Sequence, residues 1–441
     1  MNKTIVALAT PPLRSALAIV RLSGDDCFFV VSNFFSKSLI SVEKNTIFHG
    51  YIKDENEIID EVVLLAYKGP RSFTGEDSVE IMCHGSPLIS NKIISLAIKA
   101  GAQLAERGEY SFRAYLNGKM DLVQAEAIND MINAETEESK NVSLKAILGE
   151  TSSLLVPVKK ELCDLLAQIE ASIDYSEYTD IEELDSEKIV DFCKVIIEKI
   201  DFLIKNGRKG KLVKDGLNIA IVGKPNVGKS SLLNTILNEE KAIVTDIKGT
   251  TRDIVEGSVN FKGVKFNFFD TAGIRKSDDK IETIGINKSI NQIEKSDLIL
   301  CLFDNPDMDD EDKEIISIIG NRPYLTVFNK SDIIDYSNKE GIFISAKNKK
   351  IDQLLESILN HFGLNDYDFK TPSLANERVI GLLEKSKKYL LNTISKANEG
   401  VTIDLLLEDI HLAYTSLLEI TGEDCDFDIA KEIFSRFCLG K

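Results

Sequence analysis

The sequence predicts a multidomain α/β + α protein. It has an N-terminal α+β domain, a discontinuous helical domain in two segments, and an α/β phosphate-loop domain inserted between those segments. Three observations carry this. Short β-type runs fill the chain up to about Ala105; three- and four-residue apolar spacing begins near Lys119 and resumes after Asp366; and strand-like runs alternate with helical stretches from Leu212 to Phe362. The expected domains are 1–118, 119–211, 212–370 and 371–441, the second and fourth being the two helical segments.

In the first domain the strand-like runs are Ile5–Leu8, Leu17–Val20, Val62–Leu65 and Val79–Met82, with a helix-like stretch from Leu88 to Ala100. In the second, Leu155, Val158, Leu162, Leu165, Ile169 and Ile173 fall on one helical face, and Pro157 marks a start or kink. Asn206–Lys211 is polar and Gly-rich and is expected to be a linker. The third domain has apolar strands at Ile219–Val222, Phe266–Phe269, Leu298–Leu302 and Leu325–Phe328, an order that implies a mostly parallel sheet with crossover helices. Leu405, Leu406, Ile410, Ala413, Leu417 and Leu418 then form the stripe of a returning helix.

Composition narrows the function. Among 441 residues, 53 Lys and Arg stand against 71 Asp and Glu, a formal net charge of −18. Such a chain does not coat nucleic acid or anionic membrane by bulk electrostatics, because phosphate attraction needs a basic surface. A local basic patch or a basic partner is left to bring RNA. The seven cysteines are odd in number and scattered, with no Cys-x-x-Cys pair, which disfavours a disulfide framework or structural zinc and fits a reducing cytoplasm. No window approaches the ~20 apolar residues that span a bilayer, and the first residues read as a strand, not a signal peptide.

Gly223-Lys224-Pro225-Asn226-Val227-Gly228-Lys229-Ser230 follows a strand and precedes the helix-compatible Ser231-Leu232-Leu233-Asn234. Glycines let backbone wrap phosphates, and successive N–H groups at a helix start attract the anion. Lys229 is expected at the β- and γ-phosphates and Ser230 on Mg2+. Thr251, after Gly249-Thr250, is the expected second Mg2+ hydroxyl. Asp270-Thr271-Ala272-Gly273 offers a water-mediated Mg2+ contact from Asp270 and a γ-phosphate amide from Gly273. In Asn329-Lys330-Ser331-Asp332 the Asp332 carboxylate suits guanine's paired N–H donors, which adenine lacks. Ser345-Ala346-Lys347 supplies an amide for the guanine oxygen, so the nucleotide is GTP. The water-positioning glutamine of a Ras-type GTPase is replaced by Ile274, so another group must orient water. Glu282 either does this or is one more solvated carboxylate; Asn226 either holds a monovalent cation or makes an ordinary turn bond.

These motifs, with Ala9–Pro12, Val20–Gly24, Ser72–Asp77, Glu80, His84-Gly85, Gly108–Ser111, Arg113–Leu122, Gln124–Ala127, Ile243 through Asp253, Ile281-Glu282 with Ile284-Gly285-Ile286, and the terminal Phe437-Cys438-Leu439-Gly440-Lys441, resemble the MnmE (TrmE) family of tRNA-modifying GTPases along essentially the whole chain. The resemblance implies a folate-binding-like N-terminal domain that forms a homodimer, and an inserted Ras-like G domain. It implies a tetrahydrofolate derivative held by Arg21, Glu80, Lys119 and Lys441. It implies GTP contacts over Asn226–Ser231, Thr245-Asp246-Ile247-Lys248-Gly249-Thr250-Thr251, Asp270–Gly273, Asn329, Lys330, Asp332 and Ser345–Lys347. It further implies K+ on Asn226, Thr245, Ile247 and Thr250, with Glu282 as the catalytic glutamate, G domains pairing across the dimer. The implied partner is the FAD- and NADH-dependent MnmG, together forming a heterotetramer that modifies carbon five of the wobble uridine of tRNA with a folate one-carbon unit.

Cys438 fits a lipidation box poorly, with Gly440 third and Lys441 last and no polybasic signal nearby; it is expected to order the tail or to act as a thiol. Leu13, Ser15, Ala16 and Arg107 depart from the family pattern and bear on the folate contacts. A ribosome-assembly switch shares the G-domain motifs but calls for a basic Gly-x-x-Gly module and not the Cys-Leu-Gly-Lys end. A dynamin-like membrane GTPase calls for a membrane-facing helical stalk, which the sequence does not offer.

Overall fold

The computed structural model describes residues 3–174, 185–237, 257–270, 292–305, 307–334, 336, 340–424, 427–437 and 440. Residues 1–129 with 414–441 make one compact unit, and 130–413 make a second.

The first unit is built on a six-stranded sheet of order β3-β4-β5-β2-β1-β6. Its strands are β1 (Ile5–Leu8), β2 (Leu17–Ser23), β3 (Thr46–Asp54), β4 (Glu57–Tyr67), β5 (Ser78–His84) and β6 (Gln103–Leu104). Neighbours are antiparallel except β1 and β6. Alternation sorts the faces: Val20, Leu22, Leu64 and Ile81 point into the core, where helices α1 (Cys27–Ser32) and α2 (Pro87–Lys99) bring Val31, Ile93 and Leu96. Arg21 and Glu80 are on the other face, directly opposite each other in the β2–β5 register. Helix α3 (Glu109–Leu116) follows, and the C-terminal helix Phe427–Ser435 packs against it. Phe434 and Phe437 join Leu122 and Ala125 in one cluster. Gly108 permits this approach, since its φ is +69° and a Cβ there would lie 2.1 Å from the Phe434 carbonyl oxygen.

Helices α4 (Leu122–Asn133) and α13 (Ile403–Thr421) carry the chain across the two unit boundaries. The second unit contains α5 (Glu137–Ile147), α6 (Glu150–Ser153), α7 (Val156–Asp174), α8 (Ser186–Asp215) and α12 (Glu377–Asn398). In and before α7, Leu155, Val158, Leu162, Leu165 and Ile169 are buried as their spacing predicts, whereas Ile173 near the helix end is exposed. In α13, Leu406, Ile410, Ala413 and Leu417 are buried and Leu405 is exposed.

The expected linker at Asn206–Lys211 is instead the interior of α8. Both of its glycines are buried helix positions that let a neighbouring segment approach. A Cβ on Gly207 would sit 2.7 Å from the Leu374 carbonyl oxygen, and one on Gly210 would sit 2.1 Å from the Ser373 hydroxyl. Glycine here serves packing rather than flexibility, and local composition cannot tell the two apart.

The second sheet has the order β12-β11-β10-β7-β9-β8. Its strands are β7 (Leu217–Val222), β8 (Gly257–Phe261), β9 (Val264–Asp270), β10 (Leu298–Phe303), β11 (Tyr324–Phe328) and β12 (Ile342–Phe343). Five strands run parallel, and β8 pairs antiparallel with β9. Every residue of β10 is buried, as expected for a central strand covered on both faces. The helices α9 (Lys229–Leu237), α10 (Asp310–Ile319) and α11 (Asp352–His361) complete this part.

Candidate active site

The phosphate loop leaves the buried end of β7 and closes on the first turn of α9. Two glycines are required by close approach. A Cβ on Gly223 would lie 2.5 Å from the Leu302 carbonyl oxygen, and one on Gly228, at φ +102°, would lie 2.3 Å from Asn329 Nδ2. Asn226 takes the left-handed conformation at φ +65°, which asparagine tolerates better than most residues. Val227 is buried; Ser230 and Ser231 are exposed at the start of α9. The buried Lys229 donates to the carbonyl oxygens of Gly223 at 2.7 Å and Lys224 at 3.0 Å.

The guanine end is tied to this loop by one side chain. Asn329, 4% exposed at the end of β11, donates from Nδ2 to the Val227 carbonyl at 2.9 Å, and its Oδ1 accepts the Ala346 amide at 3.1 Å. Tyr336 donates to the Asn329 carbonyl at 2.7 Å. Lys330, at φ +62°, reaches Asp304 at 2.6 Å. Ser345 donates to Asp332 Oδ1 at 2.7 Å, and that hydrogen bond holds the exposed carboxyl below its ordinary range. Asp332 is therefore kept ionised, the state that accepts two N–H donors. Thr235 of α9 donates to the Ala346 carbonyl at 2.7 Å, and Lys347 is exposed. The structure thus brings together Asn226–Ser231, Asn329–Asp332 and Ser345–Lys347.

Three bracing contacts are not visible in the motifs. Asn329 braces the loop as well as the guanine segment; Thr235 braces Ala346; and Lys224 pairs with Asp309 and, at 2.9 Å, with Asp312. Burial would lower the Lys224 ammonium, but the hydrogen bonds it donates to the two carboxylates outweigh it and raise the pKa. Asp309-x-x-Asp312 is a capping box on α10, a pattern readable in the sequence.

Thr245, Asp246, Ile247, Lys248, Gly249, Thr250, Thr251, Thr271, Ala272, Gly273, Glu282, Cys438 and Lys441 lie outside the described residues. Asp270 ends β9 by its backbone, and its side chain is likewise outside them.

The first unit has a cleft of about 270 Å³ on the Arg21–Glu80 face of its sheet. Arg21 donates from Nε to Glu80 at 2.8 Å, from Nη1 to the Gly440 carbonyl at 2.9 Å, and lies 5.7 Å from the centre of the Tyr110 ring. Tyr110 in turn donates to the Arg21 carbonyl at 2.7 Å. Tyr67, Arg71 and Thr74 also line the cleft. Burial, then the Glu80 charge, pushes the Tyr67 phenol up. Lys119 does not line it; its ammonium donates to the Pro70 carbonyl at 3.0 Å, next to the lining residue Arg71. A carboxylate held by arginine beside aromatic rings suits a flat heterocycle with adjacent N–H donors. The volume is just below the usual range of ligand pockets, about 300–1,000 Å³, and has room for one small ring system. Tyr67 carried no sequence signal, since nothing local relates it to Glu80.

Among the described residues, no helix is long and apolar enough to cross a membrane. A family model for the GTP-binding protein TrmE N-terminus matches residues 4–119, and one for the MnmE helical domain matches 122–438. The chain is 40% identical to the tRNA modification GTPase MnmE of Ureaplasma parvum serovar 3 over 441 residues, 99% of this chain and 100% of that one. It is 41% identical to the protein of the same name from Malacoplasma penetrans over 445 residues, covering all of both chains. Against the Thermotoga sp. protein of that name it is 40% identical over 452 residues, 99% of this chain and 100% of that one. Among solved structures, Era of Aquifex aeolicus bound to GDP and AlF4− is 28% identical over 39% of this chain and 66% of that chain, with a TM-score of 0.28. From the full-length identity to these relatives and the two family models, the chain belongs to the MnmE family of tRNA modification GTPases.

Proposed function

We propose that this GTPase is K+-dependent and, with an FAD-dependent MnmG partner in a heterotetramer, modifies carbon five of the wobble uridine of tRNA. The modification is of the carboxymethylaminomethyl or aminomethyl type, and the carbon unit comes from a tetrahydrofolate derivative. The observation that carries the nucleotide half is Asn329, whose single amide ties the phosphate loop to the guanine segment. On this reading GTP is held by Asn226–Ser231, Thr245–Thr251, Asp270–Gly273, Asn329, Lys330, Asp332 and Ser345–Lys347. Ser230 and Thr251 would hold Mg2+, which neutralises phosphate charge when bound. Asn226, Thr245, Ile247 and Thr250 would hold K+, which supplies the charge that an arginine finger brings elsewhere. Glu282 orients the attacking water, and two G domains of a homodimer face each other to complete the site.

The folate half is supported by the Arg21–Glu80 pair in the cleft, by Lys119 at its edge, and by Gly440 on Arg21, which leaves Lys441 one residue away. The domains would be a dimerising folate domain at 1–118, helical segments at 119–211 and 371–441, and a G domain at 212–370. The place of work would be the cytoplasm.

The test joins two measurements: GTP turnover in K+ against Na+, and mass spectrometry of tRNA nucleosides from a deletion strain. Turnover is expected to fall sharply in Na+, and the wobble uridines of the deletion strain are expected to lose their modification. Equal rates in both salts would remove the cation; unchanged uridines would remove the tRNA role. Glu282→Ala is expected to lower kcat far more than GTP affinity, because its carboxylate acts on water.

A further inference from the structure

We propose that Lys224, latched by Asp309 and Asp312 at the start of α10, is a positioning residue that fixes the outer side of the phosphate loop and thereby sets nucleotide affinity. The inference rests on the reading of residues 223–230 as the phosphate site.

Lys224 stands second in the loop, yet its ammonium turns away from it to two carboxylates of α10. Asp312 is only 1% exposed, and its Oδ1 is buried with no hydrogen-bond partner among the described residues. A carboxylate that deep needs a cation, and Lys224 is the one bonded to its other oxygen. The N-terminus of a ten-residue helix holds both acids in place, Asp309 as the cap and Asp312 as its partner in the capping box. The lysine is therefore anchored to a rigid element rather than to solvent.

What the latch controls is the peptide that carries it. The carbonyl oxygens of Gly223 and Lys224 are the acceptors of the Lys229 ammonium. Gly223 is wedged against the Leu302 carbonyl, and Val227 is held from the other side by Asn329. Lys229 has to leave those carbonyls to reach phosphate, and the backbone must keep its shape while it does so. Asn329 braces the inner side of the loop, and Lys224 braces the outer side. A loop fixed in advance binds ground state and transition state alike, so losing one brace raises KM and leaves kcat.

The test is steady-state GTP hydrolysis and GDP titration of full-length Lys224→Gln, Lys224→Arg and Lys229→Ala. Lys224→Gln is expected to raise KM for GTP and Kd for GDP roughly three- to tenfold with kcat within about twofold, and Lys224→Arg to restore both. A merely structural role would lower the melting temperature and the active fraction, hence apparent kcat, with KM unmoved. Should Lys224→Gln fail to fold because Asp312 is left unpaired, Lys224→Gln with Asp312→Asn removes both charges and gives the same readout. Wild-type KM and Kd in the folded variant would overturn the latch. If Lys229→Ala keeps wild-type GDP affinity, the phosphate-site reading itself falls; if it loses affinity while Lys224→Gln does not, the latch alone falls.

Discussion

Asp332 shows how a single exposed side chain can be made specific. Its carboxyl is solvent-accessible, so Coulomb attraction alone would discriminate weakly; the Ser345 hydroxyl on Oδ1 fixes its rotamer and keeps it ionised. Replacing Asp332 by Asn substitutes a donor for one acceptor against guanine's two N–H groups. The exchange leaves one of guanine's two donors facing a donor, so Asp332→Asn is expected to weaken GDP at least about tenfold. Titration with a fluorescent GDP analogue measures it, and unaltered affinity would remove guanine recognition from this residue. Asp297 presents the opposite case. Burial raises its carboxyl above the ordinary value, although the Asn218 amide donates to it at 2.8 Å. A carboxyl raised in the folded state contributes stability below its unfolded pKa, and that contribution is lost as pH rises through the folded value. At neutral pH the ionised form is therefore a cost. Asp297→Asn keeps an acceptor for Asn218 and is expected to melt higher than wild type at neutral pH, with the difference shrinking on acidification. A difference independent of pH would contradict this.

At the scale of elements, helix α8 decides how glycine is to be understood. Ala is favoured over Gly in a helix interior by about 1 kcal/mol, so Gly→Ala should stabilise wherever space allows. Gly381 in α12 has nothing within 4 Å of its Cβ position, and Gly381→Ala is expected to raise stability by up to about 1 kcal/mol. Gly207 faces the Leu374 backbone at 2.7 Å, where overpacking costs about 1–3 kcal/mol, so Gly207→Ala is expected to be a net loss. Thermal melts of the two variants should move in opposite directions; a gain at Gly207 would restore the linker interpretation. The same contrast explains what sequence could reveal. Strands β1, β2, β4, β5, β7, β9, β10 and β11 are marked by apolar runs because each buries one face or both. Strand β3 is not, because it is an edge strand whose outer residues Ile47 and Tyr51 are exposed and whose buried residues are only Gly50 and Ile52. β8 is hidden because this edge strand, Gly257-Ser258-Val259-Asn260-Phe261, has only two apolar side chains, and β12 because it is an edge strand of two residues. The phosphate and guanine segments were legible because their residues act through local backbone geometry. Lys224 on Asp312, Asn329 on Val227 and Tyr67 near Glu80 depend on chain closure over 88, 102 and 13 residues, and local pattern carries no such information.

At the scale of the whole molecule, both ends of the chain build one unit, and the nucleotide residues all belong to the other. Residues 130–413 are thus a long excursion from a fold that closes on its own tail. The closure has named contacts: Phe434 and Phe437 bury themselves with Leu122 and Ala125, and the Gly440 carbonyl accepts from Arg21. Burying each phenylalanine contributes about 1.5–3 kcal/mol, so a chain ending at Asp424 gives up several kcal/mol in the first unit and one hydrogen bond in its cleft. The bonds that Asn329 makes to Val227 and Ala346 lie within the second unit. Truncation is therefore expected to separate two affinities: a fluorescent tetrahydrofolate analogue should bind at least tenfold more weakly, about 1.4 kcal/mol, while GDP affinity stays within about twofold. Lys119→Ala in the intact chain should weaken the folate analogue without touching the tail, which separates loss of the lysine from loss of the closure. Parallel loss of GDP binding in the truncated protein would show that the nucleotide site depends on the closing tail, and the independence of the two units would be refuted.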